Sequence, residues 1–272
     1  MGKGIMINLT LKYLNGTLAM LWMTAILIIG CGKTGNTGSG YERHNALSPE
    51  DQKEGWKLLF DGKTFNGWRG LGRDNVPKEH WKIEDGCIRK LNSGLVPSLP
   101  DGQPVEGGDL MTIDTFNNYE LYFEWKLTKA GNTGLKYNVS EEMSMASGSQ
   151  YSALGFEYQL LDDNDSMYVG KIKPSQFTGC LYDMIAPEGA EVKPLGQFNS
   201  SRILVNDNHV EHWLNGKKVV EFEFGSAMLD SLFQLSKYRD TQGFHHKRNG
   251  HIVLQNHKDD AWFRNIKIRE IR

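Results

Sequence analysis

One strand-like segment of the chain carries polar side chains between bulky apolar ones. Glu157 and Gln159 alternate with Phe156, Tyr158 and Leu160. Successive side chains of a strand point to opposite faces, so the apolar residues should face a core and the polar pair the other side. Polar groups in the middle of a strand are typical of a concave ligand-binding face. A solvated sheet face would produce the same pattern.

A second strand-like segment offers a cation. Lys136 and Asn138 alternate with Leu135 and Tyr137. If the two segments are neighbouring strands, Lys136 approaches Glu157. An ammonium group beside a carboxylate favours its ionised form, which is the form a general base needs. A plain salt bridge explains the same pair of residues.

An acidic run, Asp162 to Asp165, directly follows the first of these segments. Carboxylate oxygens are the ligands that hard cations prefer, so this run resembles a cation-binding loop. It lacks the glycine-containing pattern of an EF-hand, and the match to a calcium site is therefore weak. A divalent cation remains an open alternative, and no other cofactor is indicated.

Four of the eight histidines lie late in the chain. His245 and His246 are adjacent, whereas His251 precedes and His257 follows a short apolar run. A histidine at the end of a strand can enter a cleft and titrate near neutral pH. A single histidine is also often a surface residue or a hydrogen-bonding one.

Short β-like runs separated by tight turns must position these side chains. The chain has 30 Gly and only 8 Pro, which fits many turns, and the strongest hairpin signal is Asn215-Gly216. Convincing helical segments are few, namely a turn with Ser48 as N-cap and Pro49 in first position, and residues 226–235. About twelve evenly spaced runs predict an all-β, two-sheet antiparallel β-sandwich.

The N-terminus is typical of an exported lipoprotein. A positively charged start leads to an apolar run at 18–29, and Cys31 follows directly. We interpret residues 1–30 as a signal peptide, 31–48 as a lipidated Cys31 with a flexible tether, and 49–272 as one domain. The expected location is the periplasm-facing outer membrane, with membrane contact through the lipid only. A plain signal peptide with an incidental cysteine is the alternative.

Charge and cysteine content exclude other classes. The formal net charge of −2 argues against a nucleic-acid partner. Cys87 and Cys180 lack metal-ligand spacing, which argues against zinc. In an oxidising compartment these two cysteines either pair or remain two separate buried thiols.

Several segments, taken together, resemble the 3-keto-disaccharide hydrolase domain family, formerly a domain of unknown function. The resemblance covers about residues 55 to 271 and implies a concanavalin A-like jelly roll in a bacterial lipoprotein. The segments are Trp56-Lys-Leu-Leu-Phe-Asp-Gly-Lys-Thr-Phe-Asn-Gly-Trp68, Asn132-Thr-Gly-Leu-Lys-Tyr137, Gly155-Phe-Glu-Tyr-Gln-Leu-Leu-Asp-Asp163, Leu181-Tyr-Asp183, His212-Trp-Leu-Asn-Gly216, Ser236-Lys-Tyr238, Leu254-Gln-Asn-His257 and Phe263-Arg-Asn-Ile-Lys-Ile268.

The resemblance also implies cleavage of glycosides that carry a ketone at C3. The ketone acidifies the C2 hydrogen, so a base can remove it, the C1 substituent leaves, and water adds back. Such a route needs a proton shuttle and a group that stabilises an enolate oxygen. The positions that match the family are Lys136, Glu157, Gln159, Asp162, Tyr182, His257 and Arg264.

We therefore expect Glu157 or His257 to be the base, with Lys136 or a bound cation stabilising the enolate. Gln159, Asn138, Tyr182, Asp162 and Arg264 are the expected substrate-binding residues, although Arg264 sits in a closing strand and can be structural. The family usually has Asp where this chain has Asn256. That change weakens any carboxylate–histidine pairing at His257.

Two other functions remain open from the sequence. A non-catalytic glycan-binding module shares this architecture and should display an aromatic platform. The candidates for such a platform are Trp56, Trp68, Trp81, Trp213 and Trp262. An ordinary glycoside hydrolase needs two carboxylates, and Gln159 stands where a second acid near Glu157 would be expected. The enzyme hypothesis places Lys136, Glu157 and His257 in one cleft.

Overall fold

A computed structural model of the chain describes residues 44–92, 107–146, 152–241, 243–246 and 248–271. The predicted signal peptide, the lipidated Cys31 and the tether as far as residue 43 lie outside the described residues. Within the described part of the chain, no helix is both long and apolar enough to cross a membrane.

The described residues form thirteen strands and three α-helices. The helices are α1 (Pro49–Lys53), α2 (Glu141–Ala146) and α3 (Ala227–Leu235). The strands are β1 (Lys57–Leu58), β2 (Trp68–Gly70), β3 (Trp81–Glu84), β4 (Cys87–Lys90), β5 (Leu110–Thr112), β6 (Tyr119–Leu127), β7 (Asn132–Val139), β8 (Phe156–Leu161), β9 (Asn199–Asn206), β10 (His209–Leu214), β11 (Lys217–Glu223), β12 (His251–Leu254) and β13 (Ala261–Glu270).

These strands build two antiparallel sheets. The larger sheet has eight strands in the order β11-β10-β9-β6-β13-β4-β3, with β1 also paired to β13. The smaller sheet has five strands in the order β2-β5-β12-β7-β8. The predicted all-β, two-sheet sandwich of jelly-roll type is therefore confirmed.

The core lies between the two sheets, and strand alternation explains which residues enter it. On β8, Phe156, Tyr158 and Leu160 are fully buried in the main core cluster, as the sequence pattern predicted. From the other sheet, Phe123 places its ring 5.8 Å from that of Tyr158 in an edge-to-face arrangement. Such aromatic pairs contribute about 1 kcal/mol beyond the area they bury. The contact helps to fix the separation of the sheets.

Local signals account for the ends of the helices and the tight turns. The Ser48 hydroxyl accepts the Asp51 N–H to cap α1, and Ser226 caps α3, so both predicted helices are confirmed. Asn215 and Gly216 both have positive φ, at 49° and 83°, as a type I′ hairpin turn requires. The sequence did not predict α2 or β2, and β1 is shorter than its apolar run suggested.

The outer face of the five-stranded sheet is covered by other segments of the chain and is not solvated. Met111 pairs with Val253, which pairs with Lys136, which pairs with Glu157. Because directly opposed residues share a face, these four side chains form a row on that outer side. All four are buried, Met111 and Val253 in a small cluster with Ala153. This covered face contains the candidate site.

Candidate active site

Lys136 and Glu157 meet at the centre of this face. Their strands are adjacent, the residues are direct partners, and Lys136 Nζ lies 3.9 Å from Glu157 Oε2. Both side chains are only 3% exposed. The ammonium group also donates to the Ala153 carbonyl at 3.0 Å and to Ser152 Oγ at 3.5 Å. The predicted approach of these two side chains is therefore observed, in a setting largely shielded from water.

Gly134 makes room for the Glu157 carboxylate. A β-carbon at position 134 would lie 2.6 Å from Glu157 Oε1, closer than non-bonded atoms approach. Beside it, the Gln159 amide is oriented with its nitrogen toward Glu157. It then donates to Glu157 Oε1 at 3.2 Å and to the Thr133 carbonyl at 3.1 Å. The absence of a side chain at Gly134 thus lets the Glu157 carboxylate lie directly over β7.

A polar cleft opens beside this pair. Its volume is about 50 Å³, and it presents one carboxylate, one imidazole, amides, a phenol and an ammonium group. The residues that line it are Asn132, Glu157, Gln159, Tyr182, Lys237, Gln255 and His257. Four residues named from the sequence, Glu157, Gln159, Tyr182 and His257, come together here. Lys136 lies next to the cleft through its contact with Glu157.

The segment after α3 supplies residues whose roles the sequence did not reveal. The Tyr238 hydroxyl lies 3.5 Å from Glu157 Oε2. Burial raises the pKa of this phenol well above its usual range, and the Glu157 charge adds to the effect, so the hydroxyl stays protonated. Lys237 Nζ lies 4.6 Å from the centre of the Tyr182 ring. The motif Ser236-Lys-Tyr238 was visible in the sequence, but its distance along the chain from Glu157 concealed its place in the site.

Asp183 anchors that segment to the sheet. Its Oδ2 accepts the Lys237 backbone N–H at 2.7 Å, and its Oδ1 accepts from Lys173 Nζ at 2.8 Å. The neighbouring Tyr182 N–H donates to the Glu157 carbonyl at 3.0 Å. The 181–183 turn therefore connects β8 to the segment that carries Lys237 and Tyr238.

Asp109 anchors the opposite side of the site. This carboxylate accepts the Asn256 N–H at 2.7 Å and the Ala153 N–H at 3.0 Å. Burial raises its pKa, while Lys136 opposes the rise. The Asn256 side chain turns to the Gly107 carbonyl, to which it donates at 2.6 Å. The Asn256 side chain thus fixes the segment that leads into β5, while the next residue, the buried His257, lines the cleft.

Asn138 is not a cleft residue, which corrects the expectation that it shares a face with Lys136. Its φ is +50°, and the ladder between β7 and β12 shifts register opposite it. A bulge of this kind re-aims a side chain. Asn138 Oδ1 consequently accepts the hydroxyl of the core residue Tyr119 at 3.1 Å, and Asn138 is fully buried.

Asp162 and Arg264 also lie away from the cleft, and neither is placed to bind substrate there. Asp162 Oδ2 accepts the Ala130 N–H at 2.9 Å and closes the turn between β6 and β7. Arg264 lies on β13 in the larger sheet. It donates to Glu124 Oε2 at 2.7 Å and stacks 3.7 Å above the centre of the Phe198 ring. The structural alternative considered for Arg264 is the one that its contacts support.

The acidic run at 162–165 is occupied by turn hydrogen bonds. Asp163 Oδ1 accepts both the backbone N–H and the hydroxyl of Thr178, at 3.0 and 2.9 Å. Asp165 Oδ1 accepts the Met167 N–H at 2.8 Å. These contacts explain the carboxylates without a cation. In the described part of the chain, the cluster with the spacing of a metal site is His209, Glu211 and Glu221 on the surface of the larger sheet.

Other candidates from the sequence also lie elsewhere. The described lining of the cleft contains no tryptophan, and Trp213 and Trp262 on the larger sheet stack instead with Arg202 and Arg89. His245 lies 3.2 Å from Asp230. His251 Nδ1 contacts the Thr112 carbonyl at 2.9 Å. The remaining histidines, Trp56, Trp68 and Trp81 are likewise not among the described cleft residues.

Comparison with known proteins agrees with this architecture. The model of the 3-keto-α-glucoside-1,2-lyase-like domain matches residues 55–269. A 3-keto-disaccharide hydrolase of Bacteroides thetaiotaomicron is 36% identical over 236 residues, which are 79% of this chain and 78% of that protein.

Two crystal structures of candidate glycosyl hydrolases from Parabacteroides distasonis are also similar. One has a TM-score of 0.72 and 31% identity, covering 85% of this chain and 100% of the other. The second has a TM-score of 0.59 and 25% identity, covering 79% of this chain and 99% of the other. The residues that the family model matches include the strands that form the cleft.

Proposed function

Because the chain belongs to the 3-keto-α-glucoside-1,2-lyase-like family, we propose that it cleaves 3-keto-glycosides by proton abstraction, elimination and hydration. Membership of this family and similarity to a 3-keto-disaccharide hydrolase support a carbohydrate hydrolase or lyase. The arrangement of Glu157 and His257 in one cleft supports the finer reaction, because proton transfer at carbon needs such groups.

The reaction balances without a redox partner. A base takes the C2 proton, the C2–H electron pair forms the C2=C3 bond, and the carbonyl pair moves to the C3 oxygen. The carbonyl then re-forms, the C1=C2 bond forms, and the C1–O bond breaks, so the leaving oxygen takes an electron pair and a proton. Water finally adds its hydroxyl to C1 and its proton to C2. The products are a 3-keto sugar and an alcohol.

Glu157 and His257 divide the proton transfers in this proposal. One removes the C2 proton, and the other delivers a proton to the leaving oxygen. The buried Lys136 lies 3.9 Å from the Glu157 carboxylate and keeps its charge compensated. The Tyr238 hydroxyl, which stays protonated, lies 3.5 Å from Glu157 Oε2 and donates toward this carboxylate. General acid–base groups of this kind typically contribute about 10²- to 10⁴-fold to the rate.

The two alternative functions receive less support from the cleft. A glycoside hydrolase of the ordinary type needs a second carboxylic acid. Among the described residues that line the cleft, Glu157 is the only one with a carboxylate. A lectin needs an aromatic platform, and Tyr182 provides the aromatic surface there, with Lys237 over its ring. The cleft combines a carboxylate, an imidazole, a phenol and an ammonium group, and such a set suits proton-transfer catalysis better than binding alone.

The test is incubation with a 3-keto-glucoside while release of the aglycone is followed. We expect turnover by the wild-type protein and a loss of about 10²-fold or more in Glu157→Gln. Glu142→Gln is the matched control, because Glu142 is exposed on α2. Full activity of Glu157→Gln would remove Glu157 as an acid or base. Binding of unmodified glycan without turnover of any 3-keto substrate would favour the lectin function.

A further inference from the structure

We propose that Gln255 is the catalytic group that donates a hydrogen bond to the C3 oxygen as negative charge develops there. This inference rests on the proposed function, because a 3-keto substrate is what brings such an oxygen into the cleft. The sequence alone points to Lys136 or a bound cation for this task and assigns no role to Gln255.

Lys136 is turned toward protein partners. Its side chain is 3% exposed, and it does not belong to the described lining of the cleft. Its ammonium group can donate three hydrogen bonds, and it has the Ala153 carbonyl at 3.0 Å, Ser152 Oγ at 3.5 Å and Glu157 Oε2 at 3.9 Å. Meeting a substrate oxygen would require it to give up one of these partners. A donor to substrate is therefore expected among the residues that line the cleft.

Gln255 lines the cleft with a side chain that the fold does not use. The residue directly follows β12 and is 4% exposed. Its backbone N–H donates to the Gly134 carbonyl at 2.9 Å, and its carbonyl accepts the Thr133 hydroxyl at 2.8 Å. Its side-chain amide has no hydrogen-bond partner in the part of the chain that the structure describes. A polar side chain buried to this extent normally has a partner, so the amide is available to a ligand that enters the cleft.

The main-chain bonds of Gln255 place its amide beside Glu157. Gly134 is the direct strand partner of Gln159 and bonds to Gln255 on its other side, so the two glutamines flank one glycine. Neighbouring strands lie about 4.8 Å apart. A β-carbon at position 134 would lie 2.6 Å from Glu157 Oε1, which puts the carboxylate over the same glycine. The proposed base and the Gln255 amide therefore border the same small space above Gly134.

The two glutamines that flank Gly134 differ in what their amide groups do. The Gln159 nitrogen donates to Glu157 Oε1 at 3.2 Å and to the Thr133 carbonyl at 3.1 Å, so both of its N–H groups are engaged. Gln255 keeps two N–H donors. Side-chain amides are among the groups that form oxyanion holes. Of the two, Gln255 is therefore the one that can donate to a substrate oxygen.

The chemistry of the substrate brings the C3 oxygen into the space that this amide borders. C2 and the C3 oxygen are separated by one carbon, so a sugar with its C2–H at Glu157 or His257 also places the ketone oxygen in the same small cleft. When the base takes the proton, the C2–H electron pair forms the C2=C3 bond and the carbonyl pair moves to that oxygen. A donor that is already in position stabilises this charge without reorganising, and its loss typically costs about 10²- to 10³-fold in kcat.

The experiment compares the wild-type protein with Gln255→Met on a 3-keto-glucoside that the wild-type protein cleaves, with hydrogen or deuterium at C2. Methionine keeps the length of the side chain but cannot donate a hydrogen bond. The substitution should lower kcat about 100-fold, change KM much less, and enlarge the C2 isotope effect because enolate formation becomes rate-limiting. Gln52→Met is the matched control, because Gln52 is exposed on α1, and it should retain wild-type kcat.

Thermal unfolding gives a readout that a structural role for Gln255 would move the other way. Because the amide has no partner within the described fold, replacing it with an apolar side chain of similar shape should be neutral or stabilising. We therefore expect the melting temperature of Gln255→Met to equal or exceed that of the wild-type protein. A fall of more than about 4 °C would assign the amide to the fold and overturn the inference.

The outcomes separate this inference from the proposed function. If the wild-type protein cleaves the substrate and Gln255→Met keeps its kcat within about threefold, below the loss expected for an oxyanion donor, the role of Gln255 is overturned and the function stands. A rise in KM alone would also overturn it, because that result indicates ground-state binding. Absence of wild-type turnover on 3-keto substrates would overturn both.

Discussion

At the scale of single residues, the burial of opposite charges side by side is costly, and the site compensates it locally. Lys136 and Glu157 are each 3% exposed, and desolvation of two ions can exceed their mutual attraction. Further hydrogen bonds from Lys136 to Ala153 and from Gln159 to Glu157 offset that cost. Removing either charge leaves the other buried without its main partner, so these positions affect stability as well as activity.

A second buried group predicts how stability depends on pH. His212 is fully buried, and burial lowers its pKa to about 4. Its Nε2 accepts the Tyr137 hydroxyl at 2.8 Å, and its Nδ1–H donates to the Gly179 carbonyl at 3.0 Å. The folded state therefore holds a neutral imidazole, whereas the unfolded chain binds a proton near pH 6.5.

Between pH 6.5 and 4 the unfolded state binds more protons at His212 than the folded state does, so stability falls as the pH falls. This group alone should lower the free energy of unfolding by about 3 kcal/mol across that window. Urea unfolding at several pH values measures the slope. His212→Gln should be less stable at pH 7 and show a weaker decline.

The buried Asp163 makes stability fall as the pH rises, which is opposite to the effect of His212. The comparison of wild type with His212→Gln also controls for Asp163. Burial raises the pKa of the Asp163 carboxyl group from 3.8 to about 6. Its protonated form therefore stabilises the fold below the unfolded pKa, and this contribution is lost as the pH rises through the folded pKa. Because both proteins carry Asp163, its effect cancels in the difference between wild type and His212→Gln. An identical pH slope in the two proteins would contradict the role of His212.

At the scale of secondary-structure elements, strand alternation predicted most of the fold and part of the site. The positions of Glu157 and Gln159 opposite the apolar side chains of β8 follow from a period of two, which is a local property. The adjacency of β7 and β8, and hence the Lys136–Glu157 contact, was expected only if the two strands were neighbours. The structure fulfils that condition.

Features that depend on distant partners could not be read from local pattern. The bulge at Asn138 arises where β7 meets β12, which is more than a hundred residues away in the sequence. Lys237 and Tyr238 follow α3, and the Asp183 anchor holds this segment at the cleft, where the Tyr238 hydroxyl approaches Glu157. Arg264 lies in a matched motif, but its strand belongs to the other sheet. A motif therefore identified segments of the site without identifying which side chains face it.

The close approach of β7 to the Glu157 carboxylate yields a prediction for an element. Gly134→Ala places a methyl group 2.6 Å from Glu157 Oε1, so the carboxylate must move. Misplacement of a reacting group by about 1 Å can cost about 10²-fold in rate. We expect a loss of turnover of that order while the circular dichroism spectrum of the sheets is retained.

A double-mutant cycle is the control for this prediction. If Gly134→Ala acts through the carboxylate, it should add little to the loss caused by Glu157→Gln. Additive losses in the double variant would instead indicate a general disturbance of β7.

At the scale of the whole molecule, we propose that the sandwich is exported and attached to the outer membrane through Cys31, facing the periplasm. The apolar run before Cys31 and the Gly-rich tract after it support this proposal. Several acyl chains would hold the protein firmly to a membrane. Cells that express Cys31→Ser should release the protein into the soluble fraction and lose labelling by radioactive palmitate.

Lys33→Ser is the matched control, since it changes the same tract without the thiol. Retention of the palmitate label in Cys31→Ser would contradict lipidation at this position.

The two thiols inside the sandwich are buried and unpaired, which resolves the alternative that the sequence left open. Burial raises the pKa of both thiols, well above the usual range for Cys180, and a thiol reacts through its thiolate. We therefore expect both thiols of the folded domain to react slowly with alkylating reagents. Each transient opening of the sandwich exposes a thiol, so the rate of alkylation in the native state measures how often the sandwich opens.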